Sequence, residues 1–261
     1  MDNNIIKDPA SSPKTLPVSA WRKPEDEEKR RRRQIILQSS NTVAGAEQEG
    51  NEVVDYMIDI GANLAHKRFV HDLQDVLDRS RAANVKKIVI TGTSIPSSIR
   101  AIQLAKQNPQ FLYATVGIHP HDAKHFNETS LVEMKKLIVA NIEQVRAIGE
   151  CGLDFDRNFS TPEAQIAAFR CQLELACELR LPVFLHERSA HEAFVAILEE
   201  YRPRLGAAVV HCFTGTESEL KKYVQLDLHI GITGWICDER RGQDLQKIVP
   251  LIPWNRLMIE T

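Results

Sequence analysis

The sequence lacks long apolar runs and has no strong excess of charge of either sign. No apolar run approaches the roughly 20 residues that span a bilayer, so we expect no membrane association. The 261 residues include 33 lysines and arginines against 35 aspartates and glutamates, which gives a formal net charge of −2. Without a global basic field, a nucleic-acid ligand would have to be bound through local contacts or through metal ions that neutralise its phosphates.

Cysteine is scarce, and the spacing of the cysteines offers no paired motif. The N-terminal sequence MDNNIIKDPASSPK also lacks the apolar segment of a secretory signal. We therefore expect an intracellular, cytoplasmic protein with reduced thiols. The cysteines are odd in number and form no Cys-x-x-Cys pair: Cys151, Cys171, Cys177, Cys212 and Cys237.

Residues 1–53 differ from the rest in composition. They contain PASSPKTLP, EDEEKRRRRQ and a small, polar stretch, and few of these residues could enter a core. We predict a disordered, charged N-terminal extension. A basic run within it is a candidate nuclear-import signal or nucleic-acid patch, and the alternative is a solvated charged segment. This run consists of Lys29, Arg30, Arg31, Arg32 and Arg33.

From Tyr56 onwards the sequence alternates between strand-like and helix-like segments. Eight such strands and seven intervening helices predict an α/β fold, a (β/α)8 TIM barrel over residues 54–261 that lacks the final loop and helix. The candidate strands are YMIDI, KKIVIT, FLYATVGI, VRAIGE, PVFLH, AAVVHCF, LHIGIT and RLMIET. The candidate helices lie around 71–83, 97–107, 130–140, 162–180, 190–200, 216–225 and 241–248.

Metal-competent side chains stand at the ends of three apolar strands. Glu150 follows VRAIG, His186 follows LPVFL, and His211 follows GAAVV. Because the C-terminal ends of parallel barrel strands meet on one face, these residues are expected to converge there. A lone polar residue at a strand end is commonly a satisfied polar group, but three in register predict a metal site of carboxylate and imidazole ligands.

Longer blocks of the sequence resemble the TatD-type metal-dependent deoxyribonucleases. They are MIDIGANLAHKRF, TVGIHPHDA, IGECGLDFDRNFSTPEAQ, PVFLHER, VHCFTG, HIGITGWICDERRG and LIPWNRLMIET, and together they span about residues 56–261. The resemblance implies a TIM barrel of the amidohydrolase-like group that hydrolyses phosphodiester bonds in DNA, often as a 3′→5′ exonuclease. It implies one or two divalent ions, Mg²⁺ first, with Mn²⁺ or Zn²⁺ as alternatives. The expected partner is DNA, as a single strand or a 3′ end, with RNA as a second substrate.

The resemblance also assigns roles to residues. It places the family's bridging glutamate on Glu150 and two histidine ligands on His186 and His211. It makes His119 face substrate or water, and Arg188 is a candidate partner for a phosphate oxygen. The alternatives are loop histidines beside Pro120 and, for Arg188, a surface ion pair. The residues expected to contact substrate or to support the ligands are Asn63, His119, His121, Asp154 and Arg188.

Two departures from the family pattern stand out. Many relatives have a D-x-H-x-H block, but here Gly61 and Asn63 occupy the histidine positions, so the first of two metal sites is depleted. The family's strand-eight aspartate follows Glu-Thr, whereas this sequence ends at Thr261, so no catalytic residue is assigned. We expect impaired activity, Glu260 turned to the other side of its strand, and a poorly closed barrel with exposed apolar flanks on strands one and eight.

Two other classes of function remain open at this stage. One is a metal-dependent hydrolase of a small carbon–nitrogen or ester substrate, since the same barrel hosts such chemistry. The other is a catalytically silent interaction protein that uses the basic N-terminal run. Release of nucleotides from labelled DNA would distinguish a nuclease from both.

Overall fold

Eight parallel strands close into a barrel in the order in which they occur along the chain. The computed structural model describes residues 56–240 and 242–261. The strands are β1 (Met57–Ala62), β2 (Val85–Ile90), β3 (Leu112–Val116), β4 (Val145–Asp154), β5 (Val183–Arg188), β6 (Ala208–Val210), β7 (His229–Ile232) and β8 (Leu257–Ile259). This confirms the predicted TIM barrel. The predicted disorder of residues 1–53 and the basic run within them lie outside the described residues.

Helices connect the strands and cover the outside of the barrel. The α-helices are α1 (Leu73–Ala82), α2 (Ile95–Gln107), α3 (Glu128–Ala140), α4 (Pro162–Leu179), α5 (His191–Tyr201), α6 (Glu217–Gln225) and α7 (Gln243–Ile248). They match the predicted helical segments to within a few residues. Within the described residues no helix follows β8, and none of the helices there is long and apolar enough to cross a membrane.

Local sequence explains where the helices begin. Thr161 accepts a hydrogen bond from the backbone N–H of Ala164, and Pro162 occupies the first turn of α4, where its missing N–H costs nothing. Ser94, at the start of α2, forms a reciprocal capping box with Ser97. These caps fix the point at which each loop leaves the barrel rim and enters a helix.

Aliphatic side chains fill the barrel and the layer between strands and helices. Ile90, Val116 and Ile148 are fully buried, and Phe169 of α4 stacks on Phe194 of α5 with ring centroids 5.5 Å apart. Burying each such side chain stabilises the fold by about 1.5–3 kcal/mol. The apolar strand sequences therefore hold the strand ends, and the polar residues beyond them, in fixed positions. All five cysteines are free, which agrees with the expectation of reduced thiols.

The barrel closes between β1 and β8, so the prediction of a poorly closed barrel is wrong. Ile259 pairs with Asp59 across this seam, and the hydroxyl of Thr261 donates to Asp59 Oδ2 at 2.8 Å. β8 also pairs with β7 at three positions, which anchors its other edge. The expected exposure of apolar flanks is confirmed at this seam, where the exposed side chains are Tyr56, Met57, Ile58 and Ile259.

Candidate metal centre

One carboxylate oxygen of Glu150 is surrounded by three imidazoles. Glu150 lies on β4 and is buried, with 6% of its surface exposed. Its Oε1 is 3.1 Å from His119 Nε2, 3.0 Å from His186 Nδ1 and 2.8 Å from His211 Nε2. The parallel strands thus bring together residues that are far apart in sequence.

Glycine permits β4 to approach β5 at the point where these ligands meet. Gly152 pairs with His186 and has a positive φ of 146°, a conformation that L side chains rarely adopt. A Cβ atom at this position would lie 1.9 Å from the carbonyl oxygen of His186. The glycine in the sequence GECGLD is therefore required for the backbone approach that places His186 beside Glu150.

Asp154 links two of the histidines at the end of β4. Its Oδ2 lies 2.8 Å from His121 Nε2 and 3.5 Å from His186 Nε2. Its Oδ1 accepts the backbone N–H groups of Asp156 and Arg157, so the carboxylate is fixed from both sides. Burial alone would raise the pKa of Asp154, but its contacts with His186, with the N–H of Arg157 and with His121 keep this pKa below its usual range.

The His211 side chain is held by the ring of Phe184 and by the carboxylate of Glu260. Its imidazole stacks on Phe184 with centroids 4.5 Å apart, and its Nδ1 lies 3.3 Å from Glu260 Oε2. Glu260 is buried, and its other oxygen accepts the backbone N–H of Cys212. The expectation that Glu260 points to the other side of its strand is therefore wrong. β8 ends at Ile259, so the side-chain alternation of a strand does not extend to residue 260.

Charge coupling dominates the proton equilibria of the cluster. Burial alone would lower the pKa of His211, but the Glu150 carboxylate raises it to about 10. Burial alone would raise the pKa of Glu150, but His211 and the hydrogen bonds from the other histidines hold it well below its usual range. The two side chains pair as imidazolium and carboxylate, and a metal ion that binds His211 must displace that proton.

His119 differs from His211 in its protonation. Its Nδ1 accepts a hydrogen bond from the backbone N–H of His121 at 3.1 Å, so this nitrogen carries no proton. Burial lowers the pKa of His119, which favours the neutral ring. The single ring proton must then be on Nε2, the atom that faces Glu150. His119 is therefore arranged to donate a hydrogen bond to Glu150, and the expectation that it faces substrate or water stays a prediction.

The oxygen and nitrogen atoms that meet around Glu150 fit a divalent metal ion. The ligand atoms of His119, Glu150 and His186 all lie within 4.8 Å of one another, and His211 Nε2 contacts the same oxygen of Glu150. His186 Nε2 is buried, and its contact with Asp154 Oδ2 at 3.5 Å is too long for a good hydrogen bond. A carboxylate with neutral imidazoles is an established donor set for divalent ions.

Two of the predicted residues lie apart from this cluster. Asn63 follows β1 and is exposed, with its carbonyl accepting the N–H of His66. Arg188 pairs with Asp156 at 2.9 Å, and both side chains are about half exposed. For Arg188 the structure contains the surface ion pair that the sequence left open as the alternative. Neither residue contacts Glu150 in the contacts recorded for the described residues.

Sequence reasoning missed two glutamines on α4. Gln165 Oε1 accepts the N–H of Asp154 at 2.8 Å, and its Nε2 donates to the carbonyl of Asp154 at 3.0 Å. Gln172 makes the same two contacts with Ile118, the residue before His119, at 2.8 Å and 3.0 Å. Both glutamines are fully buried. Their spacing of seven residues, with Phe169 between them on the same helix face, was the available signal.

Glu260 also explains how β1 accommodates a glycine in place of a family histidine. A Cβ atom on Gly61 would lie 2.4 Å from Glu260 Oε2 and 2.8 Å from the ring of Phe184. A larger side chain at position 61 would have to displace the Glu260 carboxylate from His211. The Glu260 carboxylate therefore occupies the space that a side chain at position 61 would need.

Comparisons with known proteins agree with this geometry. The family model described as TatD related DNase matches residues 58–261. A protein named 3′-5′ ssDNA/RNA exonuclease TatD from Erwinia tasmaniensis is 52% identical over 205 residues, which cover 78% of each chain. Its counterpart of the same name from Salmonella typhimurium is 47% identical over 205 residues, again covering 78% of each chain.

Solved structures of the same family share the barrel. A hydrolase TatD family protein from Entamoeba histolytica is 32% identical with a TM-score of 0.73, covering 79% of this chain and 73% of that chain. A TatD homologue from Escherichia coli K12 is 31% identical with a TM-score of 0.71, covering 80% of each chain. The family match over most of the chain decides the assignment. The protein belongs to the TatD related DNases, a family of metal-dependent hydrolases.

Proposed function

We propose that this protein removes nucleotides from the 3′ end of single-stranded DNA in a divalent-metal-dependent hydrolysis, with RNA as a second substrate. The observation that carries the proposal is the convergence of three imidazoles on Glu150 Oε1 in a chain of the TatD related DNase family. The relatives at about 50% identity, which are named 3′-5′ ssDNA/RNA exonucleases, support the polarity and the single-stranded substrate.

Glu150, His186 and His211 would hold the ion. We propose Mg²⁺ as the native ion, with Mn²⁺ and Zn²⁺ as alternatives that imidazole ligands also suit. A divalent ion bound there supplies Lewis acidity to a phosphate oxygen and lowers the pKa of a bound water. One ion is the minimum, and a second would have to use ligands other than the missing histidines of β1.

The chain itself contributes two further functions. His119 Nε2–H, which faces Glu150 Oε1, would donate to a non-bridging phosphate oxygen, which gains charge in the transition state. Asp154 orients His121 and His186 through its Oδ2. Its depressed pKa makes Asp154 a weak proton acceptor, so it serves to position the ligands.

A labelled-oligonucleotide assay tests this function. A single-stranded DNA carrying a 5′ label should shorten in single-nucleotide steps from its 3′ end when Mg²⁺ is present, and EDTA should stop the reaction. The matched control is Glu150→Gln, which keeps the side-chain size and removes the charge. Wild-type protein that hydrolyses small carbon–nitrogen or ester substrates and leaves DNA intact would replace this function with another hydrolase activity.

We also propose that residues 54–261 form the hydrolase barrel that carries the metal site and that residues 1–53 are dispensable for chemistry. Deletion of residues 1–53 should leave metal affinity and nucleotide release unchanged. We further propose that the protein acts in the cytoplasm, with the nucleus as a second location through the basic run of residues 29–33. Alanine substitution of that run, followed by imaging of the protein in cells, tests the second location.

A further inference from the structure

Two neighbouring residues in the loop after β4 show a reversed pattern of burial. Phe159 is 54% exposed, whereas Ser160, the next residue, is only 3% exposed. A loop normally turns its phenylalanine inwards and its serine outwards because burial of apolar surface is favourable. Here the apolar ring is presented to solvent at the barrel rim.

Hydrogen bonds hold this loop in the conformation that exposes Phe159. The hydroxyl of Ser160 donates to the carbonyl of His121 at 2.8 Å and accepts the N–H of Lys124 at 3.0 Å. The carbonyl of Ser160 accepts from Gln165 Nε2 at 2.9 Å. On the other side, Asn158 Nδ2 donates to the carbonyl of Phe155 at 2.7 Å. The exposed ring is thus carried by an anchored loop.

The Phe159 ring lies beside the cluster formed by Glu150 and its histidines. The Phe159 ring lies edge to face with His121 at a centroid distance of 4.7 Å, and His121 lies 4.2 Å from His119 in the same way. The side chain of His121 is itself 31% exposed and contacts Asp154. Only the ring of His121 therefore separates Phe159 from His119, one of the imidazoles that contact Glu150.

Electrostatic attraction alone would bind a nucleic acid weakly at this rim of the barrel. The chain has a net charge of −2, and the side chain of Arg188 at this rim is already paired with Asp156. Proteins that bind single strands without sequence preference add aromatic platforms on which bases stack, and each stack contributes about 1–3 kcal/mol. An exposed, anchored phenylalanine next to the cluster has the chemistry of such a platform.

We propose that Phe159 is a stacking platform for the base of one of the two nucleosides joined by the scissile phosphodiester. This inference rests on the proposed nuclease function and specifies how that site engages its substrate. It requires an unpaired base, so it also accounts for a preference for single-stranded ends. The ring would bind substrate and position the phosphate, and it would have no part in metal binding.

Steady-state kinetics on matched substrates test the platform. The substrates are single-stranded DNA with normal bases and the same oligonucleotide with an abasic site at the terminal or at the penultimate 3′ position. Phe159→Ala should raise KM about 10-fold for the normal strand, in line with the loss of one base stack. It should change KM less than about 2-fold for one of the abasic strands, which offers no base to stack. Phe159→Trp should retain the wild-type KM.

The control variant is Trp254→Ala. Trp254 is 89% exposed but precedes β8, at the end of the barrel opposite to the strand termini that carry the cluster, so its loss should not change KM. Equal effects of Phe159→Ala on normal and abasic strands, or no effect on either, would overturn the platform. Absence of any DNA hydrolysis by the wild-type protein would instead overturn the nuclease function, and the platform with it. Unchanged metal affinity in Phe159→Ala would show that the cluster is intact.

Discussion

The carboxamide of Gln165 pairs with the peptide groups of Asp154 at both its oxygen and its nitrogen, at 2.8 Å and 3.0 Å. This contact connects α4 to the end of β4, where Asp154 faces His121 and His186. Gln172 connects α4 to the residue before His119 in the same manner. The helix behind the barrel thus fixes the backbone on which the metal cluster stands.

Replacement of Gln165 should damage the metal site as well as the fold. Gln165→Leu leaves a buried N–H and a buried carbonyl of Asp154 without partners, and the protein should lose about 2–4 kcal/mol of unfolding free energy. Metal affinity should fall about 10-fold because Asp154 no longer orients its histidines. Chemical denaturation and calorimetric metal titration measure the two effects. Gln165→Glu, which keeps the hydrogen-bond acceptor, should have a stability and a metal affinity between those of the wild type and of Gln165→Leu.

The control for this change is an exposed glutamine on another helix. Gln103 lies on the solvent side of α2, and Gln103→Leu should change neither quantity. If Gln165→Leu destabilises the protein and its metal affinity stays at the wild-type value, the helix supports the fold alone.

Glu260 should strengthen metal binding by supporting the His211 ligand. Glu260→Ala removes the carboxylate 3.3 Å from His211 Nδ1 and leaves the Cys212 N–H without its acceptor. Loss of such a supporting hydrogen bond typically costs 10- to 100-fold in metal affinity, and we expect about 10-fold here. Glu260→Gln should restore part of it. Titration of Mn²⁺ followed by calorimetry measures the change, and unaltered affinity in Glu260→Ala would remove this residue from the support of His211.

The metal-free protein should be most stable in weakly acidic solution. His211 has a folded pKa of about 10, above its ordinary 6.5, so its contribution to stability is full below pH 6.5 and disappears as the pH rises through about 10. The depressed pKa of Glu150 makes its contribution full above pH 4.5, and this contribution falls in acid. Thermal unfolding in EDTA should therefore show a maximum between these limits. A Tm that rises steadily from pH 6.5 to 9 would contradict the imidazolium–carboxylate pair.

Metal binding should release protons for the same reason. At pH 7.5 the metal ion must displace the proton of His211, because a ligand imidazole is neutral. Metal affinity should rise with pH towards 10. Calorimetry in two buffers with different ionisation enthalpies should give at least one proton released per ion bound, because the pKa of the His186 ligand is raised as well. Identical enthalpies in the two buffers would show that the cluster is already deprotonated.

The strand-end residues could be predicted from sequence because apolar strands fix them by topology. Glu150, His186 and His211 follow or lie within buried strands, and a parallel barrel brings such positions to one face. The side chain of Glu260 could not be predicted in the same way. It lies beyond the last residue of β8, where the Cys212 N–H and His211, both distant in sequence, determine its direction.

The roles of Gln165 and Gln172 could not be predicted from the sequence for a different reason. A polar side chain in an amphipathic helix is ordinarily assigned to the solvent side. These two glutamines occupy the apolar stripe because each satisfies a backbone N–H and a carbonyl at a strand end, which only the folded barrel places opposite the helix.

The most direct test of the account is Mg²⁺ and Mn²⁺ titration combined with 3′-nucleotide release for the wild-type protein and for Glu150→Gln. The wild-type protein should bind the metal ion and release nucleotides stepwise. Glu150→Gln should bind the ion at least 10-fold more weakly and show no detectable release, with its fold retained by circular dichroism. Wild-type metal affinity and activity in Glu150→Gln would contradict the claim that this carboxylate is the centre of the site.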